Sequence, residues 1–167
     1  MFVPINGPVV ADTVYIDNKL VARDVTATLP EITPVTADLQ AMGTMSFPIW
    51  QLIENMEAAI TKIGVDLGLR DMIKPDMKPV ELRWVQTQVD ANGVSKEVGC
   101  KAFLRCIPTK IPGVSLAVGE TSEGECTFTV TRYNLFIDGQ RMLLIDRLAG
   151  IVNIGGTDYV SKLNSML

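Results

Sequence analysis

Glu125-Cys-Thr-Phe-Thr-Val-Thr-Arg-Tyr-Asn-Leu-Phe-Ile-Asp-Gly139 is the most regular stretch of the sequence, with apolar and hydroxyl-bearing side chains in alternation. Cys126, Phe128 and Val130 fall on one side of an extended chain, and the intervening threonines fall on the other. This pattern is typical of an antiparallel strand with one buried face, and it predicts a strand over residues 123–137. After Tyr133 the apolar positions change parity. That change predicts a bulge or bend, because one inserted residue exchanges the two faces.

Turn motifs elsewhere in the sequence predict further strands, so the chain as a whole is predicted to be rich in β-structure. Asp138-Gly139 predicts a hairpin into residues 141–146, and Ala91-Asn92-Gly93 predicts one between strands at 80–90 and 94–106. Nearer the start, Asn18-Lys19 predicts a hairpin turn, followed by a strand over residues 23–32 that ends near Pro34. Residues 108–119 carry two prolines and two glycines, so we expect a loop there.

Helical spacing occurs in three segments. Residues 66–74, which precede Pro75, predict a short helix. Residues 158–167 predict another, capped by Thr157 or Asp158, with an apolar stripe of Tyr159, Val160, Leu163 and Leu167. Residues 49–63 also place apolar side chains at helical intervals, so periodicity alone predicts an amphipathic helix there.

Composition excludes several classes of function. The 167 residues are the length of one domain, 1–167, and no apolar run approaches the ~20 residues of a membrane span. The sequence has no histidine, which removes the commonest general base and metal ligand. A net charge of −4 disfavours a nucleic-acid-binding surface. We therefore expect no catalytic residue, metal or cofactor, no membrane insertion and, from the absence of a basic leader, folding in a cytoplasm.

Three cysteines, Cys100, Cys106 and Cys126, cannot all pair within one chain. We expect buried free thiols in a reducing compartment. A disulfide within the chain would have to include Cys126, because Cys100 and Cys106 lie too far apart on one predicted strand. A bond between subunits remains an alternative.

Other candidate sites have simpler structural interpretations. Gly155-Gly156 matches neither phosphate-binding fingerprint and is interpreted as a turn. Nothing in the sequence brings together the carboxylate pairs Asp17 with Glu31 or Asp138 with Asp146. Four aromatic residues lack the interleaved basic residues of a base-stacking platform, so packing in a core or interface is favoured. They are Trp50, Trp84, Phe128 and Tyr133.

Several stretches, taken in order, carry a resemblance to a known family. Val14-Tyr-Ile-Asp is followed by Val25-Thr-Ala-Thr-Leu-Pro-Glu-Ile and by a polar loop that ends in Ala41-Met-Gly43. The stretch from Gly119-Glu120 to Gly139 and the closing Leu144-Ile-Asp-Arg-Leu-Ala-Gly-Ile-Val-Asn-Ile-Gly-Gly-Thr-Asp158 follow. In order and spacing, this sequence resembles the major tail tube proteins of contractile phages, the FII family, which also includes tubes of R-type bacteriocins.

The resemblance implies a mainly β fold, an antiparallel β-sandwich or barrel-like subunit with one or two short flanking helices. It implies homohexameric rings, closed through their strands and stacked into the inner tube of a contractile tail, through which DNA passes transiently without specific binding. The implied partners are the tail sheath, the tape-measure protein, and the baseplate and tail-terminator proteins. The implied location is the virion tail, assembled in the host cytoplasm.

The resemblance also assigns roles to two segments. It implies that residues 44–63 form one long strand of the tube wall, in conflict with the helical spacing of 49–63. We adopt the strand, because tertiary context overrides a local pattern. Residues 33–42 are expected to form an extended loop that contacts the adjacent ring, through Thr33, Pro34, Leu39 and Met42. Glu54 and Glu57 are candidates for the lumen, and because their parity differs, only one can face inward on a regular strand.

Two alternatives to a phage tube remain open from the sequence. One is a monomeric, small-ligand-binding β-barrel or sandwich domain, which would need an enclosed pocket. The other is the tube subunit of a bacteriocin or secretion system, which sequence alone does not separate from a phage tube.

Overall fold

Strands dominate the computed structural model, which describes residues 2–167. The two short helices in this part of the chain are α1 (Leu67–Ile73) and α2 (Ser161–Asn164). The strands are β1 (Ile5–Ile16), β2 (Lys19–Arg23), β3 (Thr26–Thr28), β4 (Pro34–Gln40), β5 (Thr44–Ile53), β6 (Met56–Ile63), β7 (Lys78–Val89), β8 (Ser95–Lys110), β9 (Glu123–Ile137), β10 (Gln140–Asp146), β11 (Ile151–Ile154) and β12 (Thr157–Asp158). The predicted fold class, mainly antiparallel β with short helices, is confirmed.

The long strands β8 and β9 belong to two layers at once. The larger layer has the strand order β12-β11-β10-β9-β8-β7-β1-β2. The N-terminal half of β9 pairs instead with β6, which pairs with β3. The C-terminal part of β8 continues beside that half of β9. The smaller layer therefore consists of β3, β6 and the adjoining halves of β9 and β8.

A bulge in β9 marks the passage from one layer to the other. Arg105 pairs with Arg132 while Cys106 pairs with Val130, so Thr131 is the extra residue. The Thr131 hydroxyl donates to the Arg105 carbonyl oxygen at 3.1 Å. Buried side chains change parity there, from Val130 to Tyr133. The predicted change of face is confirmed, although it occurs two residues earlier than the sequence placed it.

One apolar core lies between the two layers. Side chains from β1, β2, β6, β7, β8, β9, β10 and β11 join it, β5 contributes Ile53 and α1 contributes Met72. The predicted alternation of β8 is confirmed over Val98 to Cys106, whose even-numbered side chains are buried. In addition, the buried Lys62 ammonium on β6 donates to the Val21 carbonyl on β2 at 3.0 Å and to Asp66. This contact joins β6 of the smaller layer to β2, the end strand of the larger layer.

The predicted hairpins are present, with one change of register. Asp17 and Asn18 have φ values of 49° and 63°, and Asp138 and Gly139 have 50° and 76°. Such left-handed pairs match the twist of a two-residue hairpin and suit Asp, Asn and Gly. The first turn is therefore Asp17-Asn18, one residue before the predicted Asn18-Lys19.

Residues 33–63 differ most from the sequence-based predictions. β5 and β6 are both strands, as the resemblance implied, and the helix that spacing alone indicated over 49–63 does not form, because β5 pairs with β4 and β6 pairs with β9. The long strand over 44–63 is correct in kind but is interrupted at Glu54 and Asn55. The extended loop over 33–42 is also wrong, because residues 34–40 form β4. Its first residue, Pro34, occupies a position where a missing N–H is tolerated.

Smaller corrections concern the ends of elements. The strand expected over 23–32 is limited to β3, and the loop expected from 108 begins only after β8 ends at Lys110. Helix α1 is confirmed, with Asp66 Oδ1 accepting from the Gly68 and Leu69 amides. Helix α2 is shorter than predicted, although Asp158 accepts from the Val160 amide at 2.9 Å. Of the predicted apolar stripe, only Val160 is buried.

Candidate functional site

The hairpin of β4 and β5 forms a separate two-stranded sheet whose two faces differ in chemistry. The register places alternate apolar residues on one face: Val35, Ala37, Leu39, Met45, Phe47 and Ile49. The opposite face carries polar residues and one proline: Thr36, Asp38, Gln40, Thr44, Ser46 and Pro48. A two-stranded hairpin is marginally stable alone, and an exposed apolar face of this kind marks a protein contact. The hairpin therefore has the character of an interface element.

The four predicted loop residues occupy different parts of this hairpin. Met42 lies at the tip in a left-handed conformation, with φ 53°, and Leu39 is exposed on the apolar face nearby. Pro34 lies at the base opposite Ile53, and the Thr33 carbonyl accepts from the Glu54 amide at 2.9 Å. The structure thus brings Leu39 and Met42 to one end, while Thr33 and Pro34 anchor the other.

The outward face of the smaller layer is rich in hydroxyls and carboxylates. Cross-strand pairing places mainly hydroxyls and carboxylates, with two isoleucines, one alanine and one lysine, on this hydroxyl–carboxylate face: Thr26, Thr28, Glu57, Ala59, Thr61, Ile63, Ile107, Lys110, Glu123, Glu125, Thr127 and Thr129. Glu57 is exposed opposite Thr129, and its carboxylate accepts from the Asn55 side-chain amide at 3.1 Å. Glu54 lies outside this face, in the break between β5 and β6. The threonine alternation was visible in the sequence, but nothing there showed that Glu57 and Glu125 would join it.

The smaller layer has an open strand edge on each side. Strand β3 pairs with β6 and with no other strand in the described part of the chain. Strand β8 loses its pairing with β7 after Cys106, so residues 107–110 pair with β9 alone. Exposed edges present unpaired backbone groups that can accept another strand. A second copy of the chain can therefore extend this layer from either side.

The family model described as phage tail tube protein FII matches residues 10–167. This chain belongs to the phage tail tube protein FII family. No curated protein matches the sequence significantly.

Two solved structures share the fold of this FII family member. One is from the PVC sheath–tube complex of an extracellular contractile injection system in its extended state. It has 13% identity and a TM-score of 0.56, covering 78% of this chain and 90% of that chain. The other is from the sheath/tube terminator of such a system in its extended state. It has 14% identity and a TM-score of 0.53, with 81% and 98% coverage.

The three cysteines of this tail tube protein are free and buried, as predicted. Burial raises the pKa of the Cys106 thiol to about 12 and also raises the pKa values of Cys100 and Cys126. Since the thiolate is the reactive form, these cysteines behave as small core residues. Within residues 2–167 no three His, Cys, Asp or Glu side chains are grouped as a metal would require.

The remaining sequence candidates lie apart or in the core. Asp138 lies in a turn near Lys96, and Asp146 lies at the opposite end of β10, where it accepts from the Leu148 and Ala149 amides. Of the four aromatic residues, Phe128 and Tyr133 are buried. No helix of the described residues has the length and apolar character needed to cross a bilayer.

Proposed function

We propose that this protein is the structural subunit of the inner tube of a contractile phage tail. Six copies form a ring, and stacked rings form the conduit through which DNA leaves. The observation that carries the proposal is the open edge on each side of the smaller layer, at β3 and at residues 107–110. Joining these edges around a ring removes every exposed edge of that layer at once.

The hydroxyl–carboxylate face supports the assignment of a lumen. When the smaller layers join edge to edge, their apolar sides remain in the subunit cores, so this polar face is the one that encloses the channel. Glu57 and Glu125 then lie in the wall, and the polar face of the β4–β5 hairpin extends it. Glu54 lies in the break between β5 and β6, outside this face, and is therefore a weaker candidate for the channel wall. Six copies at −4 each give a ring a formal charge of −24, which disfavours retention of DNA.

The apolar face of the hairpin supports stacking between rings. Leu39, Met45 and Phe47 are about half exposed in the single subunit, and a neighbouring copy would cover them. Partners at the ends and outside of the tube follow from the same proposal: a sheath, a terminator, a baseplate and a tape-measure protein.

Electron microscopy of the concentrated protein tests the proposal. Hexameric rings or tubes, with β3 beside residues 107–110 of the next copy, are the expected result. A protein that stays monomeric at high concentration, and that is absent from the tube of intact particles, would contradict it.

The tube of an extracellular contractile injection system is a second candidate, favoured by the two structures that share the fold. Microscopy of native particles separates the two candidates. A phage tube is attached to a DNA-filled head, whereas an injection system lacks one. A small-ligand-binding barrel has less support, because bulky side chains such as Phe128, Met56 and Ile60 fill the space between the layers.

A further inference from the structure

A basic and aromatic surface lies on the outward side of the larger layer. Three rows of cross-strand neighbours on β7, β8, β9 and β10 define it. They carry five cations and two phenylalanines: Arg83, Lys101, Arg105, Arg132, Arg141, Phe103 and Phe136. The Phe103 and Phe136 rings meet edge to face at 5.8 Å, and Arg141 lies 5.5 Å from the Phe136 ring centre. We call this surface the basic–aromatic face.

The charge of this face is opposite to that of the whole chain. Its five cations face two carboxylates, Glu81 and Asp146, so the face has a formal charge of +3 in a chain of −4. Glu81 pairs with Arg83, and Asp146 lies 3.9 Å from Arg132. Both carboxylates have 14% exposed side chains, against 44% for Arg83 and 42% for Arg132. The surface offered to a partner is therefore cationic.

Two grooves border this face. One, of about 400 Å³, is lined by Phe103, Arg105, Arg132, Asn134 and Phe136. A second, of about 540 Å³, borders the same two phenylalanines and Lys101. Asn134 is 8% exposed and its Oδ1 atom is shielded from solvent, so the phenylalanines and the cations are the groups that a partner can contact.

The position of the face indicates which partner can reach it. The core separates the outward side of the larger layer from the hydroxyl–carboxylate face of the smaller one, and the bulge at Thr131 divides them along β9. If the hydroxyl–carboxylate face encloses the lumen, the basic–aromatic face points away from it. A protein that surrounds the tube would then meet this face.

We infer that the basic–aromatic face is the docking surface for an acidic peptide segment of the protein that encloses the tube. The inference rests on the proposed function. Carboxylates of such a segment would pair with Arg105 and Lys101, and an apolar side chain would cover the two phenylalanines. Duplex DNA is the alternative occupant of a cationic face, and the experiment below separates the two.

Charge reversal in native particles tests the inference. The double variant Lys101→Glu/Arg105→Glu changes two cations that have no ion pair on this face. The matched control, Arg70→Glu/Lys162→Glu, makes the same change of charge at exposed positions on α1 and α2. The readout is the fraction of tube length covered by sheath in electron micrographs. We expect at least a tenfold loss for the double variant, full coverage for the control and normal tubes in both.

A second variant keeps the test decisive if charge reversal disturbs folding. Phe103→Ala removes a ring that is 39% exposed and leaves the buried core side chains in place, so the subunit should still form tubes. Sheath coverage should fall several-fold, which a merely structural role would not cause. Full coverage in Phe103→Ala and in the double variant would overturn the inference while leaving the tube intact. Binding of duplex DNA to the outside of tubes, lost in the double variant, would overturn it in favour of a nucleic acid. Failure of the unaltered protein to form tubes would instead contradict the proposed function.

Discussion

The buried ammonium of Lys78 provides hydrogen-bond donors for the C-terminal end of α1. Its ammonium donates to the carbonyl oxygens of Asp71, Met72 and Lys74 at 2.8, 3.3 and 2.7 Å. These carbonyls lie at the C-terminal end of α1, where the helix itself provides no donors. Because the side chain is 5% exposed, burial lowers the pKa of Lys78 even though several carboxylates nearby act against the shift.

Replacing Lys78 with methionine should destabilise the subunit by about 1–3 kcal/mol, since the buried carbonyls lose their donor. Chemical denaturation at neutral pH measures this change. The control is Lys110→Met at an exposed lysine, whose stability should lie within about 0.5 kcal/mol of wild type.

A lowered folded-state pKa means that the unfolded chain binds the proton more tightly. The free energy of unfolding of wild type, relative to that of Lys78→Met, should therefore increase as the pH rises toward 10.5, the ordinary pKa of a lysine side chain. A flat difference would contradict this assignment.

The cysteines provide a second test at the scale of single residues. A triple Cys→Ala variant should still form tubes, because the three thiols fill core space and form no bond within the subunit. A raised folded-state pKa gives a stabilising contribution that is complete below about pH 9 and is lost as pH rises toward 12. The advantage of wild type over the triple variant should shrink across that range. Absence of tubes, together with an inter-subunit disulfide on a non-reducing gel, would show that the thiols cross-link the assembly.

Sequence reasoning at the residue scale found the cysteines but missed the buried lysines. Lys62 and Lys78 look like ordinary surface cations, because their carbonyl partners are fixed only when α1 packs against the sheet. Asn134 was likewise hidden within a strand whose alternation indicated only which side was apolar. Partners that come from distant elements leave no local pattern in the sequence.

At the element scale, strands that pack against other elements of the subunit were predicted more accurately than strands that are largely exposed. Strand β9 was predicted with its bounds because its two sides have different environments within the subunit, which produces strict alternation. The loop expected over 33–42 was wrong because most of the apolar face of the hairpin is exposed in the single subunit, and only the base of the hairpin, at Val35 and Ile53, approaches the core. The apolar residues of 49–63 fit a helix by spacing, and the pairings of β5 with β4 and of β6 with β9 override that preference.

The amphipathic hairpin predicts different effects for its two faces. Leu39→Ser/Phe47→Ser should leave soluble, folded subunits that no longer polymerise, because both side chains lie on the apolar face that a neighbouring copy would cover. Asp38→Asn/Ser46→Ala alters the opposite face of the same strands and should still give tubes. Sedimentation and negative-stain microscopy compare the pair. Normal tubes from Leu39→Ser/Phe47→Ser would remove the hairpin from the proposed contact.

At the scale of the whole molecule, the two outward faces separate opposite charges. The hydroxyl–carboxylate face carries Glu57 and Glu125, with Lys110 3.9 Å from Glu125, whereas five cations lie on the basic–aromatic face. Net charge alone could not reveal this separation. It depends on the bulge at Thr131, which lets one strand serve both layers and places the faces on either side of the core. In the proposed tube, this separation would give an acidic channel and a basic outer surface.

The acidic channel leads to a prediction about transport. Glu57→Lys/Glu125→Lys in each of six copies would place twelve lysines in every ring. Rings should still form, because both side chains are exposed and neither belongs to the core. Each lysine that neutralises a phosphate releases counterions, so DNA should be held in the lumen most strongly at low salt. Salt would screen this attraction beyond about 8 Å at physiological strength.

Single-particle DNA release at several salt concentrations measures this effect. We expect slower or arrested release for Glu57→Lys/Glu125→Lys at low salt, with partial recovery as salt rises. The control, Glu97→Lys/Glu120→Lys, makes the same change of charge at exposed positions outside the hydroxyl–carboxylate face and should release DNA normally. Unchanged release at every salt concentration would mean that Glu57 and Glu125 do not line the channel, even if the tube itself is correct. Equal slowing in both variants would show that the total charge of the tube, and not the charge of its wall, governs passage.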